Sequence, residues 1–295
     1  MEKEKKLSKI KIAVIISVAV VFLCVAVFVL VLVLKPGFRY KVKSFFNSGK
    51  NEVALTAMSA KELDTEKVEV SEFIKWENVS FNQSMMLVNN EHTLADDYEA
   101  DISEYKTTGV MMNSCMRDDY SDMSLDIIDK FDNTLYIMSS YRTAEEQEEI
   151  SKEQDEESAM KAGASEHQTG LALDVYITEF AGAGFINCDV GQWVNQNSWK
   201  YGFIIRYPQF KEDITGIKFE PWHIRYVGFP HSEIIYNNSL TLEEHIAGME
   251  IGKFYKFGKY IYTRQKGDEI TVPADCKSYV VSEDNTGCFI ITGKR

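Results

Sequence analysis

Cysteine is scarce in this sequence, and no two cysteines form a Cys-x-x-Cys pair. The five cysteines are scattered, which argues against a zinc site built from thiolates. Cys276 and Cys288 alone frame a short segment, and a disulfide there and two free buried thiols are equally compatible with the sequence. Internal repeats and low-complexity tracts are absent as well. Apart from its first part, the chain has the composition of an ordinary globular protein.

Basic residues are not in excess over most of the chain. The first fifty residues carry ten Lys or Arg against two Glu, which leaves 22 basic and 43 acidic residues in the rest. An acidic body of this kind repels the phosphates of nucleic acids. We therefore expect no nucleic-acid partner, and we interpret the acidic residues as a solvated surface.

One long run, residues 12–34, contains no charged side chain. At about 1.5 Å per residue it forms about 34 Å of helix, enough to cross a bilayer core of about 30 Å. The run continues in Val, Leu and Phe up to Lys35, whereas the apolar part of a signal peptide is shorter and ends in small residues. The sequence predicts an uncleaved membrane anchor behind a short tail, 1–11. Lysines flank both ends of the run, so charge orients it only weakly.

The patterning changes twice after the anchor. Residues 35–83 mix charged and small residues without sustained periodicity, which predicts a stalk or linker. Residues 84–244 alternate helix-like and strand-like patterns, and residues 245–295 are rich in short β-like runs. We expect an α+β domain followed by a small β appendage.

Two short blocks concentrate groups that bind metals. Residues 165–174 read Ser-Glu-His-Gln-Thr-Gly-Leu-Ala-Leu-Asp, and residues 220–223 read Glu-Pro-Trp-His. His167, Asp174 and His223 supply two nitrogens and one oxygen, and this set leaves one position of a tetrahedral zinc ion open. An open position is typical of catalytic zinc. The spacing does not by itself establish that the two blocks meet at one ion.

The carboxylates of the two blocks receive different interpretations. Asp174 alternates with Leu171 and Leu173, which predicts a strand that points Asp174 away from the apolar core. Glu220 stands three residues before a candidate ligand, where it can take a proton from a water molecule. Glu166 is interpreted as a solvated loop residue. The remaining histidines are interpreted as surface or structural residues: His92, His231 and His245.

Arg142 follows a predicted strand and precedes a charged helix that starts at Thr143 and runs to about Glu157. It pairs with a nearby glutamate, or it is a fixed guanidinium for an oxyanion or a carboxylate. Gln147 lies about one and a half turns into that helix. Its spacing alone favours a solvated position.

Together these blocks resemble the VanY-type peptidoglycan carboxypeptidases, in the metallopeptidase group of the VanX-type D-Ala-D-Ala dipeptidases and the hedgehog domains. The resemblance rests on Ser-x-His-x-x-Gly-x-Ala-x-Asp followed by Glu-x-Trp-His, with supporting blocks at 139–143, 206–208, 214–216 and 225–228. It covers roughly residues 84–244. It implies a small central antiparallel sheet with flanking helices.

The resemblance also implies roles for single residues. It makes His167, Asp174 and His223 the zinc ligands and Glu220 the catalytic base. It makes Arg142 the group that stabilises the tetrahedral intermediate or holds the substrate. Further substrate contacts, or residues that shape the pocket, are implied at the following positions: Gln147, Ser165 and Trp222.

The function implied is that of a zinc-dependent D,D-carboxypeptidase, which removes the C-terminal D-alanine from peptidoglycan stem peptides with the help of Glu220. An L,D-carboxypeptidase acting on tetrapeptide stems is the alternative of the same class. A non-catalytic wall-binding module is the alternative of another class, and the intact Glu220 argues against it. Because the substrate lies outside the membrane, we expect a cytoplasmic N-terminus and an extracellular catalytic domain.

Overall fold

The computed structural model describes residues 2–47, 53, 55–58, 60–153 and 160–295. Within them the α-helices are α1 (Glu2–Leu34), α2 (Pro36–Asn47), α3 (Val70–Phe73), α4 (Arg117–Phe131), α5 (Ala144–Glu153), α6 (Asp189–Asn197), α7 (Glu212–Thr215), α8 (His231–Asn237) and α9 (Leu242–Ala247). The predicted end of the charged helix near Glu157 lies outside the described residues. The capping pattern at the start of α9 is explicit, because Thr241 and Glu244 exchange side-chain and backbone hydrogen bonds.

The strands of the described chain fall into two larger sheets and two ribbons. They are β1 (Thr56–Met58), β2 (Thr65–Glu69), β3 (Val79–Asn82), β4 (Ile102–Glu104), β5 (Met111–Asn113), β6 (Tyr136–Ser139), β7 (Ala172–Tyr176), β8 (Phe203–Ile205), β9 (His223–Tyr226), β10 (Phe254–Phe257), β11 (Tyr260–Gln265), β12 (Glu269–Pro273), β13 (Ser278–Glu283) and β14 (Phe289–Lys294).

The central sheet has four antiparallel strands in the order β6-β7-β9-β8. Leu173 and Val175 of β7 and Ile224 of β9 are fully buried in one apolar cluster with side chains of α4 and α6. Alternate residues of these strands therefore point to the opposite face. The predicted α+β class, with a small central antiparallel sheet and flanking helices, is confirmed.

A second, six-stranded sheet joins the N-terminal and C-terminal parts of the chain. Its order is β1-β10-β11-β14-β13-β3, with β3 parallel to β13, and β2 pairs separately with β12. Residues 35–83 were predicted as a stalk, but β1, β2 and β3 lie in that interval. A local pattern does not predict their place in a sheet, because each strand is short and pairs with residues about 200 positions away. The predicted limits of the catalytic segment, 84–244, stay a prediction.

The N-terminal helix α1 is long and apolar enough to cross a membrane over Lys11–Leu34, and the other described residues leave that apolar span unburied. Helix α2 follows directly and contacts the body. The Gly37 amide donates to Asn187 Oδ1 at 3.1 Å, and a Cβ at Gly37 would lie 2.4 Å from that oxygen. The missing side chain thus permits the close approach.

Two predictions on residue pairs outside the central sheet, one on cysteines and one on histidines, can be compared with the structure. Cys276 and Cys288 are buried free thiols, so the disulfide alternative is not realised. His231 and His245 are also buried, which corrects the surface interpretation and supports the structural one. His231 Nδ1 lies 2.8 Å from His245 Nε2.

Candidate metal and active site

Asp174 and His223 face each other across the central sheet. They are directly paired in the register of β7 and β9, on the face opposite Leu173 and Ile224. Side chains opposed in this way lie close together, and Asp174 Oδ1 is 3.1 Å from His223 Nδ1. Two blocks that are far apart in sequence therefore meet through one strand register.

His167 completes the group from a short 3-10 turn, Glu166–Thr169, that leads into β7. Its Nε2 lies 3.4 Å from Asp174 Oδ2. Its Nδ1 lies 2.8 Å from the backbone carbonyl oxygen of Ser140. Because a carbonyl oxygen only accepts, Nδ1 carries the proton and Nε2 keeps its lone pair for a metal.

The turn depends on Gly170, which ends it with a φ of 67°. A left-handed φ favours glycine. A Cβ there would also lie 2.9 Å from the backbone nitrogen of Asn113. The glycine of the sequence pattern therefore lets the turn pack closely before the strand begins.

The three side chains fit a zinc ion. His167, Asp174 and His223 each offer a ligand atom within 4.8 Å of the others. Asp174 Oδ1 is buried and has no hydrogen-bond donor among the described residues, and a cation satisfies such an oxygen. Two imidazoles and one carboxylate form a ligand set that suits zinc with an open position.

The charges around these side chains favour the ionised carboxylate. Burial alone raises the pKa of Asp174, but the adjacent His167 and His223 rings hold that pKa well below its ordinary value. Burial lowers the pKa of His167. Burial alone also lowers the pKa of His223, but the adjacent carboxylates, Asp174 first among them, raise it to about 9 without a metal.

Glu220 lies at the edge of the same site. Its Oε2 is 3.7 Å from His223 Nδ1, and its side chain is 27% exposed. The backbone around it is fixed, since the Glu220 amide donates to the Tyr207 carbonyl oxygen and Asn195 Nδ2 donates to that of Pro221. Burial raises the pKa of Glu220, and the charge of Asp174 raises it further.

Arg142 reaches the site from the end of β6. Its guanidinium donates to Gln147 Oε1 at 2.5 Å and to Ser139 Oγ at 2.9 Å, and Ser139 is the other strand partner of Asp174. Among the residues that the structure describes, the guanidinium thus bonds Gln147 and Ser139 and not a glutamate, the partner of the predicted alternative. Burial lowers the pKa of Arg142.

Gln147 is buried rather than solvated, which corrects the interpretation from its spacing. Its Nε2 donates to the Met160 carbonyl oxygen at 2.7 Å while its Oε1 holds Arg142. The amide therefore fixes the guanidinium from the side of α5.

Comparison of this chain with known proteins shows which family has this site. The family model for VanY, D-alanyl-D-alanine carboxypeptidase, matches residues 111–229, which include every candidate site residue. A solved structure of VanYB in complex with D-alanine-D-alanine is 31% identical, with a TM-score of 0.50, and the match covers 57% of this chain and 99% of that chain. This chain belongs to the VanY family.

Two further relatives extend the likeness. A D-alanyl-D-alanine carboxypeptidase of Enterococcus faecium is 36% identical over 194 residues, which are 63% of this chain and 62% of the relative. This VanY-family chain thus matches less than two thirds of that relative's length. A crystal structure of the vancomycin resistance D,D-dipeptidase VanXYg, in complex with a D-Ala-D-Ala phosphinate analog, is 25% identical with a TM-score of 0.67. That match covers 79% of this chain and 99% of the other.

Two predicted substrate residues lie close to candidate metal ligands in the sequence of this VanY-family chain. Ser165 is buried at the start of the turn that carries His167. Trp222 precedes His223 and packs, half-buried, against the apolar cluster under the sheet. Their contact with a substrate stays a prediction.

Glu166 is the residue that sequence reasoning misjudged. It is 1% exposed rather than solvated. Its Oε1 accepts from Arg206 Nε at 2.7 Å and from Arg225 Nη1 at 2.6 Å. Burial alone raises the pKa of Glu166, but the two guanidinium groups hold that pKa below its ordinary range. The available signal was Arg225, two residues from His223 and therefore on the same strand face.

Proposed function

We propose that this chain is a zinc-dependent D,D-carboxypeptidase that removes the C-terminal D-alanine from peptidoglycan stem peptides. The observation that carries the proposal is the convergence of His167, Asp174 and His223 beside Glu220. Membership of the VanY family supports it. So do two solved relatives whose complexes contain D-alanine-D-alanine or a phosphinate analog of it.

His167, Asp174 and His223 would hold the zinc ion, which when bound polarises the scissile carbonyl and lowers the pKa of a water molecule. Glu220 takes a proton from the attacking water as the new carbon–oxygen bond forms. It returns the proton to the amine of the leaving D-alanine as the carbon–nitrogen bond breaks. The raised pKa of Glu220, caused by burial, suits a group that both accepts and returns a proton.

Arg142 is proposed to stabilise the negative oxygen of the tetrahedral intermediate or to hold the C-terminal carboxylate of the substrate. Its bonds to Gln147 and Ser139 keep the guanidinium in place before substrate arrives. Gln147, Ser165 and Trp222 are proposed to contact the substrate or to shape its pocket.

The proposed location is the cell membrane, with residues 12–34 as a single-pass anchor. The length and apolar composition of α1 support this location. The N-terminus would be cytoplasmic and the catalytic part extracellular, where polymeric wall is found.

The test uses the full chain in detergent with purified pentapeptide and tetrapeptide stems, followed by mass spectrometry. We expect loss of one D-alanine from pentapeptides. For Glu220→Ala we expect release to fall by about 10²–10⁴-fold while zinc stays bound. Undiminished release of D-alanine by that variant would contradict the proposed role of Glu220. Cleavage of tetrapeptides alone would support the L,D alternative, and binding to wall without cleavage would support the non-catalytic one.

A further inference from the structure

A buried charge cluster lies directly behind the candidate zinc site. Arg206 and Arg225 are both fully buried and both donate to the same oxygen of Glu166, its Oε1. Arg206 also makes two bonds to Glu243, at 2.9 and 2.6 Å. The orientation of the Glu166 carboxylate is thereby fixed, with Oε1 turned toward the arginines.

The other oxygen of Glu166 is turned toward a zinc ligand. Glu166 Oε2 lies 3.8 Å from His223 Nε2. Both atoms are buried, and neither has a hydrogen-bond partner among the described residues. Two unpaired atoms of this kind are costly unless they satisfy each other.

We propose that Glu166 is a positioning residue that accepts the Nε2–H of His223 and so holds the ring in the tautomer whose Nδ1 binds zinc. The inference rests on the zinc site proposed above. His223 turns Nδ1 toward Asp174 and Glu220, so Nδ1 is the nitrogen available to a metal. A neutral imidazole that gives Nδ1 to a metal must carry its proton on Nε2. A fixed acceptor at Nε2 selects that form.

The substitution Glu166→Gln tests this directly. Arginines only donate, so the amide oxygen of the glutamine must face Arg206 and Arg225, and the amide NH₂ must face His223. A donor opposite Nε2 favours the tautomer with the proton on Nδ1, which cannot bind zinc. We expect zinc affinity, measured by chelator competition, to fall by about 10–100-fold, the range typical for loss of an outer-shell partner.

The matched control is Glu243→Gln. It removes the same charge from the same cluster, but Glu243 binds the terminal nitrogens of Arg206, whereas Glu166 is the carboxylate next to His223 Nε2. We expect its zinc affinity to stay close to that of the unmodified chain. Equal weakening by both substitutions would overturn the proposal, because charge alone would then explain it. Unchanged affinity of Glu166→Gln would overturn it as well.

A measurement on the unmodified, zinc-loaded chain covers the case in which Glu166→Gln does not fold. Ring ¹⁵N NMR should find the His223 proton on Nε2 and protected from exchange with water. A proton on Nδ1, or an Nε2–H that exchanges as fast as that of an exposed histidine, would overturn the proposal. Zinc binding without D-alanine release would count against the proposed function alone, since neither measurement depends on turnover.

Discussion

His167 and His223 in the central sheet, and His231 and His245 beside the second sheet, form two similar buried pairs. In each pair the ring centres are 5.1 Å apart and the rings meet edge to face. Asp174 contacts both rings of the first pair. The second pair bonds within itself and to Thr292 Oγ1, at 2.9 Å from His231 Nε2.

The surroundings shift the pKa values of the two pairs differently: burial lowers the pKa of His167 in the first pair and of both histidines in the second, whereas His223 is the exception. Near Asp174 the pKa of His223 rises to about 9 without a metal, although burial alone lowers it. In the second pair burial lowers the pKa of His245 to about 4 and moves that of His231 well below its ordinary value. Two close histidines therefore do not make a metal site. The proposed metal site differs by a carboxylate on the same face, which supplies a further ligand atom and compensates positive charge.

Removal of the Asp174 carboxylate should make the first histidine pair as poor a zinc site as the second. Asp174→Asn leaves two imidazoles beside a neutral amide, so we expect zinc affinity to fall by at least about 100-fold, beyond the typical loss of an outer-shell partner. D-alanine release should be lost with it. Chelator competition and mass spectrometry of stem peptides check both effects. Zinc affinity unchanged in this variant would contradict the assigned ligand set, and thermal unfolding of the metal-free protein controls for misfolding.

Lowering the pH should reduce the stability of the fold through the second pair, His231 and His245. Its histidines have pKa values lowered in the folded state, so the unfolded chain binds more protons below about pH 6.5. Their contribution to stability is complete above that pH and is lost as pH falls toward the folded pKa of His245, about 4. We expect the free energy of unfolding to drop by about 3 kcal/mol over this window from His245 alone.

Urea unfolding of the metal-free protein, followed by tryptophan fluorescence, measures this loss. The control variant is His245→Gln, whose amide can still bond His231 but does not titrate. Its drop between pH 7 and about pH 4 should be smaller than that of the unmodified chain by the amount given above. Parallel pH profiles would mean that the pair does not stay neutral when folded.

The smallest effect on activity should come from Gln147, the α5 residue that holds Arg142. Gln147→Leu removes the acceptor of Arg142 and places an apolar side chain of similar size in the same buried position. We expect kcat/KM to fall by about tenfold, equivalent to about 1.4 kcal/mol, with zinc affinity unchanged. Steady-state kinetics and chelator competition separate the two quantities. A change in zinc affinity would instead make Gln147 part of the metal site.

Much of the site could be predicted from local patterns. The alternation of Leu171 and Leu173 with Asp174 indicates which face of β7 is polar, because successive side chains of a strand point to opposite faces. The residue types of the two blocks indicate zinc, since imidazole and carboxylate in this ratio leave an open position. Gln147 and Glu166 were misjudged because burial depends on residues distant in the chain, which spacing does not record.

By itself, then, the sequence determined the chemical types of the candidate ligands, the apolar run at 12–34 and the polar face that carries Asp174. These properties depend on composition and on short-range periodicity. Only the tertiary structure decided that Asp174 stands opposite His223, that Glu166 is buried against two arginines, and that β1, β2 and β3 pair with C-terminal strands. Strand register and desolvation are set by partners far away in sequence, and no local pattern specifies them.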